Sequence, residues 1–484
     1  MRGGAWLAAI FALLAAPAIA ETLTLRGVMT GADHQSFREV PFRVPAGTTA
    51  VTVDFAYTGN DQKAVIDLGV RDPARFRGWS GGNKSRFTLT ETWATPSYLP
   101  GPLPAGEWKL ILGVPNLRKD GRAEYTATIT LDRSPVFHGF AAAPLKIGGG
   151  WYRGDLHLHT GHSDGACASR TGKRGPCPLF KTLEAAATRG LDFVTVTEHN
   201  TTSHFQDLAE LQGYFDDLLL IPGREVTTFQ GHMNVWGMTA PLDFQLGSPR
   251  APTLGRILDQ VEAAHAVASI NHPSLPSGEI CMGCGWTAAT DYARIPTIEV
   301  INGTASSGPL SGIAFWEARL NAGFRITAVG GSDNHDPSLP AERGVGVPTT
   351  VVHAPALSQD AILAAIRAGR VFVDAQGTRN RRLDMAARRL EGPWVEMGGT
   401  VSAAKGETVG LQITAVAAKG GRIVIRSDHE PARSTSAPLG DNGVNLILAF
   451  PTDGARHWVR AEVVGPNGEL WLLGNPIYLE PAGR

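Results

Sequence analysis

Between Gly154 and Asp164 the chain reads GDLHLHTGHSD, three histidines and two aspartates within eleven residues. Side chains two apart on a strand project from the same face, so His157 and His159 stand side by side, near enough to share one cation. Further imidazole and carboxylate donors recur just after apolar runs. Glu198 and His199 follow FVTVT, Glu225 follows LLLIPGR, His272 follows ASIN, and Asp333 and His335 follow AVGGS. With Asp164 and His232 from the loops, the candidate metal ligands are His157, His159, Asp164, His199, Glu225, His232, His272, Asp333 and His335. A zinc site takes about three or four protein ligands. Nine donors therefore imply two or three divalent ions sharing a bridging carboxylate, and the mixed imidazole and carboxylate set suits manganese, zinc or iron(II). Two ions a few ångströms apart clamp the attacking and leaving oxygens of a displacement.

Donors so far apart in sequence meet only if the fold gathers strand ends. From about Gly149 to Gln376, apolar runs (FVTVT, LLLIPG, VASINH, TIEVING, ITAVGGSD) alternate with helical patterns (LFKTLEAAATRG, HFQDLAELQGYF, TLGRILDQVEAAHA, IAFWEARLNAG). The runs have the continuous apolar character of parallel-sheet strands, and two of the helical segments end in the glycine expected just past a helix. Repeated βα units build a barrel or a doubly wound sheet. In a barrel the carboxyl ends of the strands collect on one face, where active sites form. On either side the pattern changes to period two. TAVTVDFAY, RFTLT, WKLILGV and YTATITL lie before the middle segment; GLQITAV, GRIVIRS, VNLILAF, HWVRAEVVG and ELWLLGNPIYL lie after it. Both flanks read as antiparallel β-domains of the sandwich kind. An aromatic loop around Trp79, RFRGWSGG, reads as a packed loop, with ligand binding as the alternative.

The 484 residues exceed one ordinary core. Forty-four Lys and Arg against 45 Asp and Glu leave a net charge of −1, so the whole chain has no field to hold a stable nucleic-acid complex. The opening MRGGAWLAAIFALLAAPAIA reads as a signal peptide over residues 1–20, with Arg2, an apolar core and an A-x-A pattern. Residue 21 is Glu, so the cysteine acceptor of a lipid anchor is missing. No later run reaches the roughly 18 to 20 apolar residues of a membrane span. The expectation is a soluble exported protein, periplasmic or extracellular. In that compartment the four cysteines, Cys167, Cys177, Cys281 and Cys284, read as disulfides, with one zinc held by all four as the alternative. The domain reading is a signal peptide 1–20, a β-sandwich 21–135, a catalytic domain 149–376 and a second β-sandwich 383–484.

In this order and spacing, DLHLHTGHSDG, GLDFVTVTEHN, IPGREVTTFQGHMNVWG, NHP, IEVING and VGGSDNHD resemble the polymerase and histidinol phosphatase (PHP) superfamily. The trailing AAIRAGRVFV is similar to its carbaryl-hydrolase-like (CehA/McbA) branch. The resemblance implies a distorted (β/α)7 barrel with a di- or trinuclear metal centre, here flanked by the two β-domains. It also puts all nine donors on ligand positions, with His199, Glu225 and His272 as catalytic candidates. One residue departs: the acid before His199 is Glu198 where the family has Asp, and it is expected to orient His199 from behind, with a substituted structural acid as the alternative.

The activity implied is hydrolysis of phosphomonoesters or phosphodiesters of nucleotide type by a metal-bound hydroxide, acting on a small-molecule substrate. The branch resemblance gives carbamate or carboxyl esters as the alternative. A non-catalytic glycan-binding protein with a degenerate centre is a remoter reading. Arg170, Lys173, Arg174, Asn200 and Arg224 are the candidate substrate-binding residues, since cations over a metal site favour anions. His162, His204 and Asn302 are weaker candidates for the same role. A solvated basic loop is the plain alternative for the cluster at Arg170, Lys173 and Arg174.

Overall fold

The computed structural model describes residues 20–134, 137–279, 281–435 and 437–482. The leader read over residues 1–20 lies, but for Ala20, outside them. The chain is mixed α/β and strand-rich. Strand outweighs helix, 42% against 13%, because both flanking regions add strands without helices. Two compact units divide it, Met1–Ser134 and Pro135–Arg484.

In the first unit, alternation builds two antiparallel four-stranded sheets. One orders Glu21–Thr30, Arg122–Asp132, Ala50–Tyr57 and Arg86–Thr90; the other orders Ser36–Val44, Gly106–Asn116, Val65–Arg71 and Phe76–Gly81. Every second residue of Ala50–Tyr57 turns inward, so Val51, Val53 and Phe55 join Trp108, Leu110 and Ile129 in one core. Trp79 packs rather than projects. Its indole lies across Gly69 and Gly113, where any Cβ would come within 2.7 Å of the ring, and Phe37 meets it edge-on.

The second unit carries the candidate ligands. Its largest sheet runs Thr327–Gly331, Thr297–Asn302, Val267–Ile270, Gly231–Trp236, Leu219–Thr228, Phe193–Val196, Lys146–Asp155, Thr349–Leu357, Val371–Asp374, and on through Leu470–Gly474, His457–Val464 and Arg422–Ser427. The pairs among Lys146–Asp155, Phe193–Val196 and Leu219–Thr228 are parallel, as are those among Val267–Ile270, Thr297–Asn302 and Thr327–Gly331. Between the two sets runs Gly231–Trp236, antiparallel to both neighbours. The sequence pattern places this segment in a loop, whereas its pairing on both sides makes it a strand of the sheet. A parallel bridge between Leu158 and Asn334 ties the HxH segment to the far end of the series.

Helices Leu179–Thr188, Phe205–Leu211, Leu254–Ala263 and Ile313–Asn321 occupy the segments with helical pattern, and Gln359–Arg367 is a fifth. The C-terminal region read as a further domain does not stand apart. Val371–Asp374 pairs with Leu470–Gly474, and Val351 and Phe372 share a core with Leu411, Ile413 and Val459. A separate four-stranded sheet, Val395–Glu396, Arg382–Arg389, Thr408–Val416 and Val444–Pro451, completes that region. Among the described residues, no helix is long and apolar enough to cross a membrane.

Candidate metal centre

Each donor is delivered by the end of a strand or the turn beyond it. His157 and His159 follow Lys146–Asp155, while Glu225 lies within Leu219–Thr228 and His232 within Gly231–Trp236. His272 and Asp333 each sit two residues past a strand, with φ of 29° and 50°. Left-handed backbone costs a non-glycine residue on the order of 1–3 kcal/mol and persists where the surroundings enforce it, commonly at functional sites.

All nine donors meet at one place, with Glu225 at its middle. Its carboxylate lies 2.8 Å from Nδ1 of His199, 3.3 Å from Nε2 of His157 and 3.6 Å from Nε2 of His159. Nδ1 of His232 and Nε2 of His272 are each 3.4 Å away. Asp333 makes a second bridge, 3.3 Å from His157 and 3.1 Å from His159. Asp164 lies between His335, at 3.2 Å, and His199, at 3.6 Å. Among these nine donors, three sets of atoms fall within 4.8 Å of one another and could hold a cation: His157, His159 and Asp333; His157, Glu225 and His272; His159, Asp164, His199 and His335. The second set is wholly buried and the first is buried but for the partly exposed Asp333, whereas Asp164, at 58% exposure, opens the third to solvent.

The chemistry of the donors fits divalent ions. Nε2 of His157, both ring nitrogens of His159 and Nδ1 of His272 are buried yet make no hydrogen bond. Such atoms are rare in folded proteins unless something else satisfies them. Burial opposes ionisation of Glu225 and Asp333, yet the imidazoles, His157 foremost, hold both carboxyls well below the usual range. The neighbouring imidazoles of His199 and His335 likewise hold Asp164 far down. Burial pulls His199 down in turn, but Asp164 and Glu225 overcome it and lift the imidazole to about 10. The carboxylates thus demand positive charge at their centre. A divalent cation supplies that charge while leaving the imidazoles neutral, as ligation requires.

Around the donors stand residues that aim them. Glu299 accepts a hydrogen bond from Nδ1 of His157 at 2.9 Å and another from the backbone N–H of His272 at 2.9 Å. Asn302 donates to both Glu299 and Asp333, at 3.1 and 3.2 Å, and Asn271 donates to Glu225 at 2.8 Å. Thr227 lies 2.6 Å from Nδ1 of His199. Asp155, fully buried, accepts from the N–H groups of His157, Ser332 and Gly346 and so locks the HxH segment to the turn carrying Asp333. Sequence reasoning passed over Glu299, Asn271, Thr227 and Asp155. The available signal was an acid inside an apolar run, TIEVI for Glu299, because a buried charge needs a partner.

Several expectations change. Glu198 does not reach His199; its carboxylate accepts from the Thr160 N–H at 2.9 Å and from the hydroxyls of Thr160 and Ser163, bracing the turn before Asp164. Arg224, adjacent to Glu225, points to the opposite face of its strand, as period two requires. There it donates to the carbonyls of Met238 and Ala240 and lies over Phe205, and burial lowers it to about 10. The Asn200 side chain is spent on the backbone of Thr227. Cys167 and Cys177 lie at disulfide distance, bracing the ribbon of Ala166–Ala168 and Arg174–Pro176. Arg174 pairs with Asp336 at 2.9 Å, beside His335. Arg170 and Lys173 are exposed in the turn of that ribbon, and no contact among the described residues ties them to the donors.

The weaker candidates also separate. His204 is buried against the carbonyls of Val196 and Gly223, and His162 pairs with Ser203 and Asp207. Asn302 alone of the three touches the centre. Cys281 and Cys284 lie at disulfide distance from each other, and no set of four cysteines within ligand distance occurs among the described residues.

No family model matches the chain, and no curated protein sequence matches it.

Proposed function

We propose that the chain is an exported metal-dependent hydrolase of the PHP kind, with its middle segment as a distorted (β/α)7 barrel and its substrate a phosphoester of small-molecule or nucleotide type. One observation carries the reading: a single buried carboxylate, Glu225, lies within 3.6 Å of five imidazoles. So many imidazole donors around one acid have a use in holding adjacent cations and little use in a packed core.

The residues divide the work by depth. Glu225, His157, His272 and Asp333 would hold the inner cation positions, and His159, His199, His335 and Asp164 the outer one. Bound divalent ions supply Lewis acidity to an ester oxygen and make water acidic enough to act as a nucleophile at neutral pH. The protein walls exclude bulk water from the inner donors, since His157, Glu225 and His272 are at most 3% exposed. Substrate therefore enters past Asp164, His199 and His335. Glu299 and Thr227 fix which nitrogen of His157 and of His199 faces inward.

A second reading, carbamate or carboxyl-ester hydrolysis, draws support from the rim. With Arg224 turned away, Arg174 paired to Asp336 and the Asn200 amide spent on Thr227, none of these three candidates is free beside the donors to select an anion. The test is a panel of aryl phosphates, phosphodiesters, aryl acetates and aryl carbamates offered to manganese- and zinc-loaded protein. Turnover confined to phosphoesters supports the first reading, and turnover confined to acyl substrates replaces it with the second. No turnover of any substrate in protein of proven metal content would refute both.

A further inference from the structure

The centre has a sulfur at its edge that the nine donors do not include. Sγ of Cys284 and the donor atoms of His232 and His272 lie within 4.8 Å of one another. Cys284 is fully buried, whereas Cys281 is partly exposed. The CMGC loop is pressed against the centre from outside. The Met282 carbonyl accepts from Nε2 of His232 at 3.2 Å, which leaves Nδ1 of that ring as its free lone pair, 3.4 Å from Glu225. Next to His272, the Pro273 carbonyl accepts from the N–H of Trp286 at 3.1 Å. Gly283 packs so closely that a Cβ there would sit 2.3 Å from the Thr228 carbonyl. The loop is therefore held in place by contacts other than the cysteine pair. On the other side, Nδ1 of His272 is buried without a hydrogen bond.

We propose that Cys284, when reduced, is a thiolate ligand of a cation held with His232 and His272, and that its bond to Cys281 withdraws it, making occupancy of this corner redox-dependent. The inference rests on the metal-centre reading above. Two imidazoles and one thiolate are a donor set suited to zinc, softer than the carboxylate-rich inner positions. The exchange partner is a dithiol reductant. Its thiolate attacks the accessible sulfur of Cys281; the Cys281–Cys284 bond breaks, and the electron pair leaves on Cys284 beside the two histidines. The second thiol of the reductant then displaces Cys281, which takes up a proton. The reductant ends as a disulfide, and one proton is released to solvent when Cys284 remains as the bound thiolate.

The experiment uses the full chain loaded with cobalt(II), read by absorption spectroscopy after excess reductant is removed under nitrogen. Oxidised protein should show only the d–d bands of nitrogen and oxygen ligation. Reduction with dithiothreitol should add thiolate-to-cobalt charge-transfer absorption in the near ultraviolet. Cys281→Ser should show that absorption without any reductant, and Cys284→Ser should lack it in every state. The inference is overturned if reduced protein and Cys281→Ser bind cobalt with unchanged d–d bands and no charge transfer, an outcome that leaves the centre itself standing. Charge transfer of equal strength in oxidised protein would overturn the switch. If no form takes up cobalt, the centre and this inference fall together.

Discussion

Nδ1 of His157 and Oε1 of Glu299 lie 2.9 Å apart, both side chains buried. Because Nδ1–H donates to the carboxylate, the lone pair of Nε2 is directed at Glu225 and Asp333. Glu299→Ala should release that tautomer and also orphan the His272 N–H. Metal affinity is expected to fall about 10- to 100-fold, the usual loss for an orienting partner, with Glu299→Gln intermediate. Competitive chelator titration measures it, and an unchanged dissociation constant in Glu299→Ala would remove Glu299 from the centre.

Gly331→Ala tests how closely the parts are packed. A Cβ at Gly331 would meet Cβ of His157 at 2.4 Å and Oε1 of Glu299 at 2.5 Å, so the new methyl separates the pair just described. Overpacking of this sort typically costs about 1–3 kcal/mol. Chemical denaturation should show that loss, accompanied by weaker metal binding. A variant as stable as the parent and binding metal equally well would mean that the strand end yields freely.

The donors were legible in the sequence for a local reason. Period two puts His157 and His159 on one face, and apolar runs mark where strands end, so His272 and Asp333 could be placed without any long-range information. What failed was inference from adjacency. Arg224 and Asn200 flank donors in the chain but serve the fold, Arg224 because alternation turns it away and Asn200 because its amide clamps Thr227. Glu198 braces Thr160 and Ser163, a pairing set by the turn before Asp164. The antiparallel Gly231–Trp236 strand was hidden because it opens on a glycine and the polar His232 and Asn234 interrupt its apolar run. Likewise the junction of Val371–Asp374 with Leu470–Gly474 spans about a hundred residues, and no local pattern reports a pairing of that range.

Glu225→Ala should be the most damaging single substitution at the centre. It removes the one acid shared by five imidazoles and leaves Asp333, Asp164 and Glu299 as the remaining carboxylates beside them. Bound metal should fall by at least one equivalent, and any hydrolytic rate should fall beyond the roughly hundredfold typical of outer-shell partners. Elemental analysis together with turnover on the best substrate checks both. Full metal content in a folded Glu225→Ala protein would contradict the bridging role.

His204 gives a pH dependence that does not involve the ligands. Its imidazole is fully buried, with Nε2–H donating to the carbonyls of Val196 and Gly223 at 3.1 and 3.0 Å. Burial lowers it from 6.5 to about 4. Between those values the unfolded chain binds the proton and the folded chain does not, so stability falls as pH drops from about 6.5 to about 4 and is flat above. Linkage puts the full loss at about 3 kcal/mol. Denaturation midpoints followed from pH 7 to pH 4 for the parent and His204→Gln should diverge in slope, the variant losing this part of the acid sensitivity. Because the other titrating groups are common to both proteins, the difference between the two curves isolates His204, and parallel curves would show that the imidazole binds its proton equally in the folded and the unfolded chain, which would overturn the shift.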